Sequence, residues 1–306
     1  MGTAMPGFYT TRELAALLRV KERKVYDLVA EGALPVRRRT GKLLFPRDEI
    51  GKWLEMDAKP ATPANGHQAE SSSIDRHGDE RPLIAAGGHD PLLEWALRES
   101  GSGIAGFFDG ALDGVERAEA GECIVAGLHL PEGEGWNVAT VAEKFGGEPW
   151  VLIEWARRKR GLILRPGLSK HPACLKQARG LRFQARQAEA GSELILDHLL
   201  AAEKMRRTDL HFVEAIERSE TDLAMALADG RADVGLGIAA AARQFKLDFT
   251  PLIEERFDLL VWRKAYFDPP FQNLLTLCQS EKFRNKAEAL AGYDISGFGT
   301  VRFNGG

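Results

Sequence analysis

Cysteine is scarce in this 306-residue chain, and its three copies, Cys123, Cys174 and Cys278, stand far apart. Without a Cys-x-x-Cys pair, neither a disulfide framework nor a structural zinc site is expected, and the thiols read as reduced. Long apolar runs are missing too. None approaches the roughly eighteen residues of a membrane span, so no membrane partner is expected. The opening MGTAMPGFYTTREL has no charged segment followed by an apolar one, so no secretory signal is read and the expected location is cytoplasmic. The seven histidines are too dispersed to argue for a metal. No P-loop, no His-Glu-x-x-His and no Ser-His-Asp order with a nucleophile elbow occurs, which lowers the enzyme reading.

What the chain does have is charge, unevenly placed. The total is only −3, yet residues 12–47 hold ten Lys/Arg against four Asp/Glu, leaving −9 for the remainder. A basic head on an acidic body suits a nucleic-acid binder whose body should not cling to DNA. Hydrophobic content of 44% and charged content of 28% are ordinary for a globular protein, and the length allows two or three domains.

Residues 1–56 form the expected head. Thr10-Thr11-Arg12-Glu13 has the spacing of a capping box, in which hydroxyl and carboxylate satisfy the first free amides of a helix. Leu14, Leu17 and Leu18 follow at helical spacing. A second helix is expected from about Lys21 to Glu31, with Val25, Leu28 and Val29 as its buried stripe and Gly32 as its stop. VRRRTGKLLF reads as a hairpin turning at Thr40-Gly41. Pro46 opens a last helix whose Ile50, Trp53 and Leu54 close a small core. Two helices and a basic hairpin predict a winged helix-turn-helix that docks on double-stranded DNA. Arg23, Lys24 and Tyr26 lie on the groove-facing side of the second helix, while Lys21, Arg37, Arg38, Arg39 and Lys42 would neutralise phosphates. The head resembles the excisionase and MerR-like helix-turn-helix family through YTTRELAALLRVKERKVYDLVAEGALP and RTGKLLFPRDEIGKWL. That resemblance implies a recognition helix in the major groove and a wing on the backbone.

Residues 57–80 are rich in Pro, Ala, Ser, Gly and charge without periodicity, and read as a linker. From residue 81 to 306, strands and helices alternate. PLIAAG, GIAGFF, ECIVAGLHL, WVLIEWA, GLILR, RADVGLGI, DFTPLI and FDLLVWR are the expected strands. This pattern predicts an α/β body with mostly parallel sheet, too long for one five-stranded sheet and so divided into two lobes around a cleft.

Several short segments invite a site. Gly101-Ser102-Gly103-Ile104-Ala105-Gly106 satisfies a dinucleotide fingerprint in letters only, because it follows a helix and leads into a strand; it reads as a helix stop and turn. Gly87-Gly88-His89-Asp90 sits between a strand and a helix. There it either receives an anionic group on free amides or is simply a tight turn capped by Asp90. His129 falls at the carboxyl end of a strand, where α/β clefts take ligands, although a lone histidine is more often structural. Arg157-Arg158-Lys159-Arg160 reads as a solvated run. Among Arg158, Arg165, Arg182 and Arg186, Arg186, beside a strand leading to Gly191-Ser192, is the arginine best placed to fork onto an oxyanion. In Ser219-Glu220-Thr221-Asp222 the side chains of Thr221 and Asp222 would cap a helix or touch ligand. Asp233, Gly235 and Gly237 mark a strand end that allows close approach.

In order, AGGHDPLLEWAL, DGALDGVERAEAGECIVAGLHL, ARRKRGLILRPG, LRFQARQAEAGSELILD, ETDLAMALADGRADVGLGIAAAA and LDFTPLIEERFDLLVWR resemble a sensor family. It is the type 2 periplasmic-binding-protein-like domain of one-component bacterial regulators related to molybdate and tungstate binding. The resemblance implies two α/β lobes closing on a ligand. Its site would draw on Gly88, His89, Asp90, Ala111, His129, Arg165, Arg186, Gln187, Ser192, Thr221 and Gly237. Where that family has Gly-Ser, this chain has Gly110-Ala111. Where it tends to a basic residue, this chain has Glu193, and where it favours Thr-His there is Thr221-Asp222. A bare tetrahedral oxyanion loses donors by these changes, which favours a larger organic or molybdenum-cofactor-like effector. The expected protein is therefore a non-enzymatic, ligand-responsive transcriptional regulator, at least a homodimer, with no covalent cofactor. A cofactor-handling protein of molybdenum metabolism and a ligand-independent architectural DNA binder are the competing expectations.

Overall fold

The computed structural model describes residues 8–17, 25, 29, 34–39, 42–47, 50 and 81–306. The chain divides into two compact units, Met1–Ile74 and Asp75–Gly306.

In the first unit, β1 (Phe8–Thr10) runs into α1 (Thr11–Leu17), and β2 (Arg37–Arg39) turns into β3 (Lys42–Pro46). They form an antiparallel sheet in the order β1-β3-β2, with Arg38 opposite Leu43 and Tyr9 opposite Phe45. The hairpin expected over residues 36–45 is there. Leu14, Ala15, Val25, Leu34, Phe45 and Ile50 make a small core. Leu17, at helical spacing from Leu14, is 46% exposed, because Leu14 and Ala15 already supply the inward face of this short helix. Arg47 lies over the Tyr9 ring at 4.4 Å. Lys21, Arg23, Lys24 and Tyr26 fall outside the described residues, as do Leu18, Leu28, Trp53, Leu54 and the linker. Arg37, Arg38, Arg39 and Lys42 are described for their backbone only, in β2 and β3.

The second unit begins with β4 (Ile84–Gly87), α2 (Pro91–Glu99), β5 (Ala105–Phe107), α3 (Ala111–Glu119) and β6 (Val125–Leu128). A short hairpin, β7 (Pro131–Glu132) with β8 (Gly135–Trp136), and α4 (Val138–Phe145) lead to the long β9 (Trp150–Leu164). Beyond it come β10 (Arg182–Arg186), α5 (Gly191–Ala202), β11 (His211–Glu217), α6 (Glu220–Ala228), β12 (Val234–Ile238) and α7 (Ala239–Gln244). The equally long β13 (Asp248–Trp262) returns the chain. It is followed by α8 (Arg263–Tyr266), α9 (Pro269–Cys278), α10 (Glu281–Leu290), β14 (Tyr293–Asp294) and β15 (Val301–Asn304).

These strands make one continuous sheet in the order β11-β10-β12-β9-β13-β6-β4-β5, with β14 and β15 added along β9. Pairing is parallel within each wing, β5-β4-β6 and β11-β10-β12, and antiparallel around β9 and β13. The mostly parallel sheet expected from alternation is thus a mixed one, because two strands run against their neighbours through its middle. β5, expected to be buried, is an exposed edge strand with Phe107 at 45% exposure.

Two lobes follow from where the apolar surface collects. One core gathers β4, β6, α2, α3 and the start of β9 with the end of β13, around Leu92, Val115, Trp150, Trp155 and Phe257. The other side holds two smaller cores, around Leu162, Phe183, Ile195 and Leu196 and around Ile163, Leu223 and Ala241. Only β9 and β13 pass through both lobes, paired from Trp150↔Trp262 to Leu164↔Asp248. They are the hinge.

This corrects two sequence expectations. WVLIEWA and GLILR are one strand, and so are DFTPLI and FDLLVWR. The run 157–160 is not a solvated surface: Arg157 and Lys159 point out, whereas Arg158 and Arg160 are fully buried. Period-two alternation continues through the charged residues. Their burial is tolerable because carboxylates from β13 and α6 meet them.

Candidate ligand site between the lobes

The site is built outward from the turn joining β4 to α2. Gly87 holds φ of +99°, and a Cβ there would stand 2.7 Å from the Gly127 amide nitrogen, so only glycine fits. Asp90 then caps α2: its Oδ1 accepts from the Leu93 amide at 2.7 Å and from Trp155 Nε1 at 3.0 Å. Its Oδ2 accepts from Arg158 Nη1 at 2.8 Å and from the Tyr293 hydroxyl at 2.6 Å. Four donors leave this buried carboxylate committed to the hinge. Asp90 is therefore an anchor, although it was expected at the ligand.

The hinge charges form a continuous cluster. Arg158 Nη2 lies 2.6 Å from Glu255 Oε1, and Arg160 Nε donates to Glu255 Oε2 at 2.8 Å. Arg160 Nη2 donates to Glu220 Oε1 at 2.8 Å, and Glu220 Oε2 accepts from the Ile238 amide at 3.2 Å. Burial by itself would raise both glutamates, but Arg158 and Arg160 outweigh it at Glu255 and hold it well below the usual carboxylate range. At Glu220, Arg160, Arg186 and Arg158 overcome burial and hold the carboxyl at about 2. Both remain ionised. With Asp90 they balance the three arginines, so the cluster is near neutral as a whole.

His129 sits between the lobes, against Gly88 on one side and Gly191 on the other. Its ring stacks on Phe257 at 5.6 Å, and Nδ1 is 3.0 Å from Glu255 Oε2. Burial lowers its pKa, with Glu255 pulling partly the other way. The neutral ring with Nδ1 donating to Glu255 suits that carboxylate. A Cβ at Gly88 in the first lobe, or at Gly191 in the second, would come within 2.8 Å of the imidazole. The ring thus fills the gap between the β4–α2 turn and the start of α5.

Around this wedge the lobes touch directly. Arg218 forks onto Asp109 at 2.6 Å, Gln187 Nε2 donates to the Asp109 carbonyl at 3.2 Å, and the Leu112 amide donates to the Glu189 carbonyl at 3.2 Å. Several buried polar atoms here have no hydrogen-bond partner in the protein: Arg160 Nη1, Arg186 Nη1, Gln187 Oε1 and Ser192 Oγ. Arg186 Nη1 lies 3.4 Å from Glu220 Oε1 but without hydrogen-bond geometry. Its Nε and Nη2 donate to the carbonyls of Glu217 and Arg218, and burial lowers its pKa.

The fold brings Gly88, Ala111, His129, Arg186, Gln187 and Ser192 to these loops. His89 and Thr221 line an adjoining chamber of about 670 Å³. Gly237 instead lies under Glu220, where a Cβ would stand 3.2 Å from Oε2. Arg165 is not brought in. It pairs with Asp233 at 2.7 Å, beside Arg182, at the end of β12 opposite Ile238 and Arg160. Ser219 caps α6, its Oγ accepting from the Asp222 amide at 2.9 Å, so neither Thr221 nor Asp222 is the cap. Arg158, Arg160, Glu220 and Glu255 were missed. The alternation inside β9 and β13 was the signal that could have found Arg158, Arg160 and Glu255; Glu220, at the start of α6, carries no such signal. Among the described residues, no group of three or more His, Cys, Asp or Glu is placed to hold a metal ion, and no helix is long and apolar enough to cross a membrane.

Comparison with known proteins matches residues 93–279 to the model of the PBP superfamily domain and residues 8–57 to that of a helix-turn-helix domain. The chain is 27% identical over 301 residues to the uncharacterized protein YvgK of Bacillus subtilis (strain 168), covering 96% of this chain and 97% of that one. An uncharacterized protein in the ferredoxin 2Fe-2S gene 5′ region of Clostridium pasteurianum is 33% identical over 84 residues, 27% of this chain and 74% of that one. Among solved structures, a putative phosphate ABC transporter substrate-binding protein with bound phosphate from Clostridium perfringens is similar at TM-score 0.49 and 10% identity. That match covers 69% of this chain and 98% of the other.

Proposed function

Because this chain belongs to the PBP superfamily through residues 93–279 and carries a helix-turn-helix domain at 8–57, we propose that it is a ligand-responsive DNA-binding regulator. A small anionic effector would be gripped between the lobes, and the grip would change how the head reads DNA. One observation carries the ligand reading: Arg160 Nη1, Arg186 Nη1 and Ser192 Oγ are buried donors without a partner at the interlobe contact. An orphaned buried donor costs about 1–3 kcal/mol, more when charged, and a ligand oxygen would supply what is lacking.

Charge argues for the kind of anion. The three arginines are already balanced by Asp90, Glu220 and Glu255. Glu193 stands in the first turn of α5, accepting from the Arg186 amide at 2.9 Å and pairing with Arg207. A carboxylate there weakens the pull of the helix N-terminus on a second negative group. Molybdate and tungstate are candidate effectors through the family resemblance, and this balance favours a larger, molybdenum-cofactor-like or other organic anion over either. DNA would be read by a homodimer or larger assembly, since a pair of small heads spans two half-sites.

The test is thermal unfolding of the whole protein with molybdate, tungstate and pterin anions. A true effector at about 100 Kd should stabilise by about 2.7 kcal/mol, and Ser192→Ala should weaken that gain. A panel that stabilises nothing, or a gain indifferent to Ser192→Ala, would contradict the reading.

A further inference from the structure

The chamber beside the interlobe contact is a site in its own right. Its walls come from both lobes, α2 and α10 on one side and α6 and α7 on the other, and it encloses about 670 Å³. They divide by chemistry. Trp95, Leu290 and Ala240 give apolar surface, and Arg98, Lys286 and Arg243 give positive charge. Arg98 and Arg243 are exposed and form no ion pair or hydrogen bond among the described residues. Lys286 Nζ stands 5.7 Å from the Trp95 ring centre, and Lys282 Nζ stands 5.9 Å from it. Two acids share the wall with these three cations: Glu94, which His89 Nε2 meets at 3.3 Å, and Asp222. The other ring nitrogen of His89, Nδ1, is buried without a partner. Positive charge is therefore in excess here, unlike in the neutral hinge cluster.

We propose that this chamber binds a flat organic anion, an aromatic phosphomonoester, with its ring on Trp95 and its phosphate between Arg98 and Arg243. The volume lies within the roughly 300–1,000 Å³ of clefts that take organic ligands, and a bare oxyanion would leave most of it unfilled. A phosphomonoester brings about two negative charges and three acceptor oxygens, which arginine forks match. An indole face provides area for a flat ring, and the two lysines already beside it favour an electron-rich one. Arg98 belongs to the first lobe and Arg243 to the second, so one phosphate would tie the lobes together. This site is separate from the Arg186–Ser192 contact and does not rest on it.

Calorimetric titration of the full-length protein with phenyl phosphate, GMP and flavin mononucleotide tests the proposal, with inorganic phosphate and molybdate as controls. At least one aromatic phosphate should bind. Arg98→Ala and Arg243→Ala should each weaken it about tenfold or more, Trp95→Leu should weaken it too, and Ser192→Ala should leave it unchanged. Both arginines are exposed, so their removal leaves the core intact if Trp95→Leu does not fold. The proposal is overturned if none of the three binds below about 5 mM, if binding ignores both arginine variants, or if inorganic phosphate competes equally well.

Discussion

Arg158 and Glu255 are direct cross-strand partners in the hinge, joined guanidinium to carboxylate at 2.6 Å with both side chains out of solvent. Glu255 also holds Arg160 and His129, so one carboxylate serves three partners. Replacing it by Gln leaves two buried guanidinium groups undercompensated. We expect Glu255→Gln to destabilise the second unit by about 3–5 kcal/mol in urea unfolding. The acid limb should change as well. A carboxyl held low in the fold contributes stability above its unfolded value, and that stability fades as pH falls through the folded value. The variant should therefore lose less stability than the parent as pH drops below about 4.5.

His129 gives a second pH signature, at higher pH. Its folded pKa is lowered from 6.5 by burial, so the unfolded chain takes up the proton first as pH falls. Stability tied to the neutral ring is full above about 6.5 and is lost below it. The difference between parent and His129→Asn unfolding free energies should grow from pH 5 to 7 (about two units of window) and level off above. A flat difference would mean the ring does not titrate between the two states.

Gly191 faces the same ring. A methyl there would stand 2.8 Å from its atoms, too close for contact. Gly191→Ala should cost about 1–3 kcal/mol through overpacking and should part the lobes, read as a larger radius in X-ray scattering. Its effect should shrink in a His129→Ala background, because the clash partner is gone.

The Asp109–Arg218 fork ties the lobes at the surface, and the acid beside it raises the arginine's pKa. Exposed pairs add little to stability, so Arg218→Ala should barely move the unfolding midpoint. It should instead loosen closure, lowering effector affinity and making what remains less sensitive to salt.

Much of the architecture was legible because it is written in short-range patterns. The hairpin at 36–45, the strand–helix step from Arg182 to Ser192 and the turn at Gly87–Asp90 each carry their signal locally. What could not be read was pairing across distance. Arg158 beside Lys159 and Arg160 looks like a surface run until Glu255, far along the chain, is placed opposite it. Arg165 failed for the complementary reason. Like Arg186 it stands at the end of a strand, but strand direction sends it to the far end of β12, beside Asp233. Asp90 was seen at the right turn, yet its four donors come from segments no local pattern connects.

If the chain is a ligand-responsive regulator, occupancy between the lobes governs the head's hold on DNA. The direct test selects duplexes bound by the full-length protein from a random library, then measures affinity for the selected duplex with and without the stabilising anion. A change of about 5- to 150-fold is expected, abolished by Ser192→Ala with Arg186→Ala, and the same factor for anion affinity with and without DNA. Equal DNA affinity at saturating anion would contradict it.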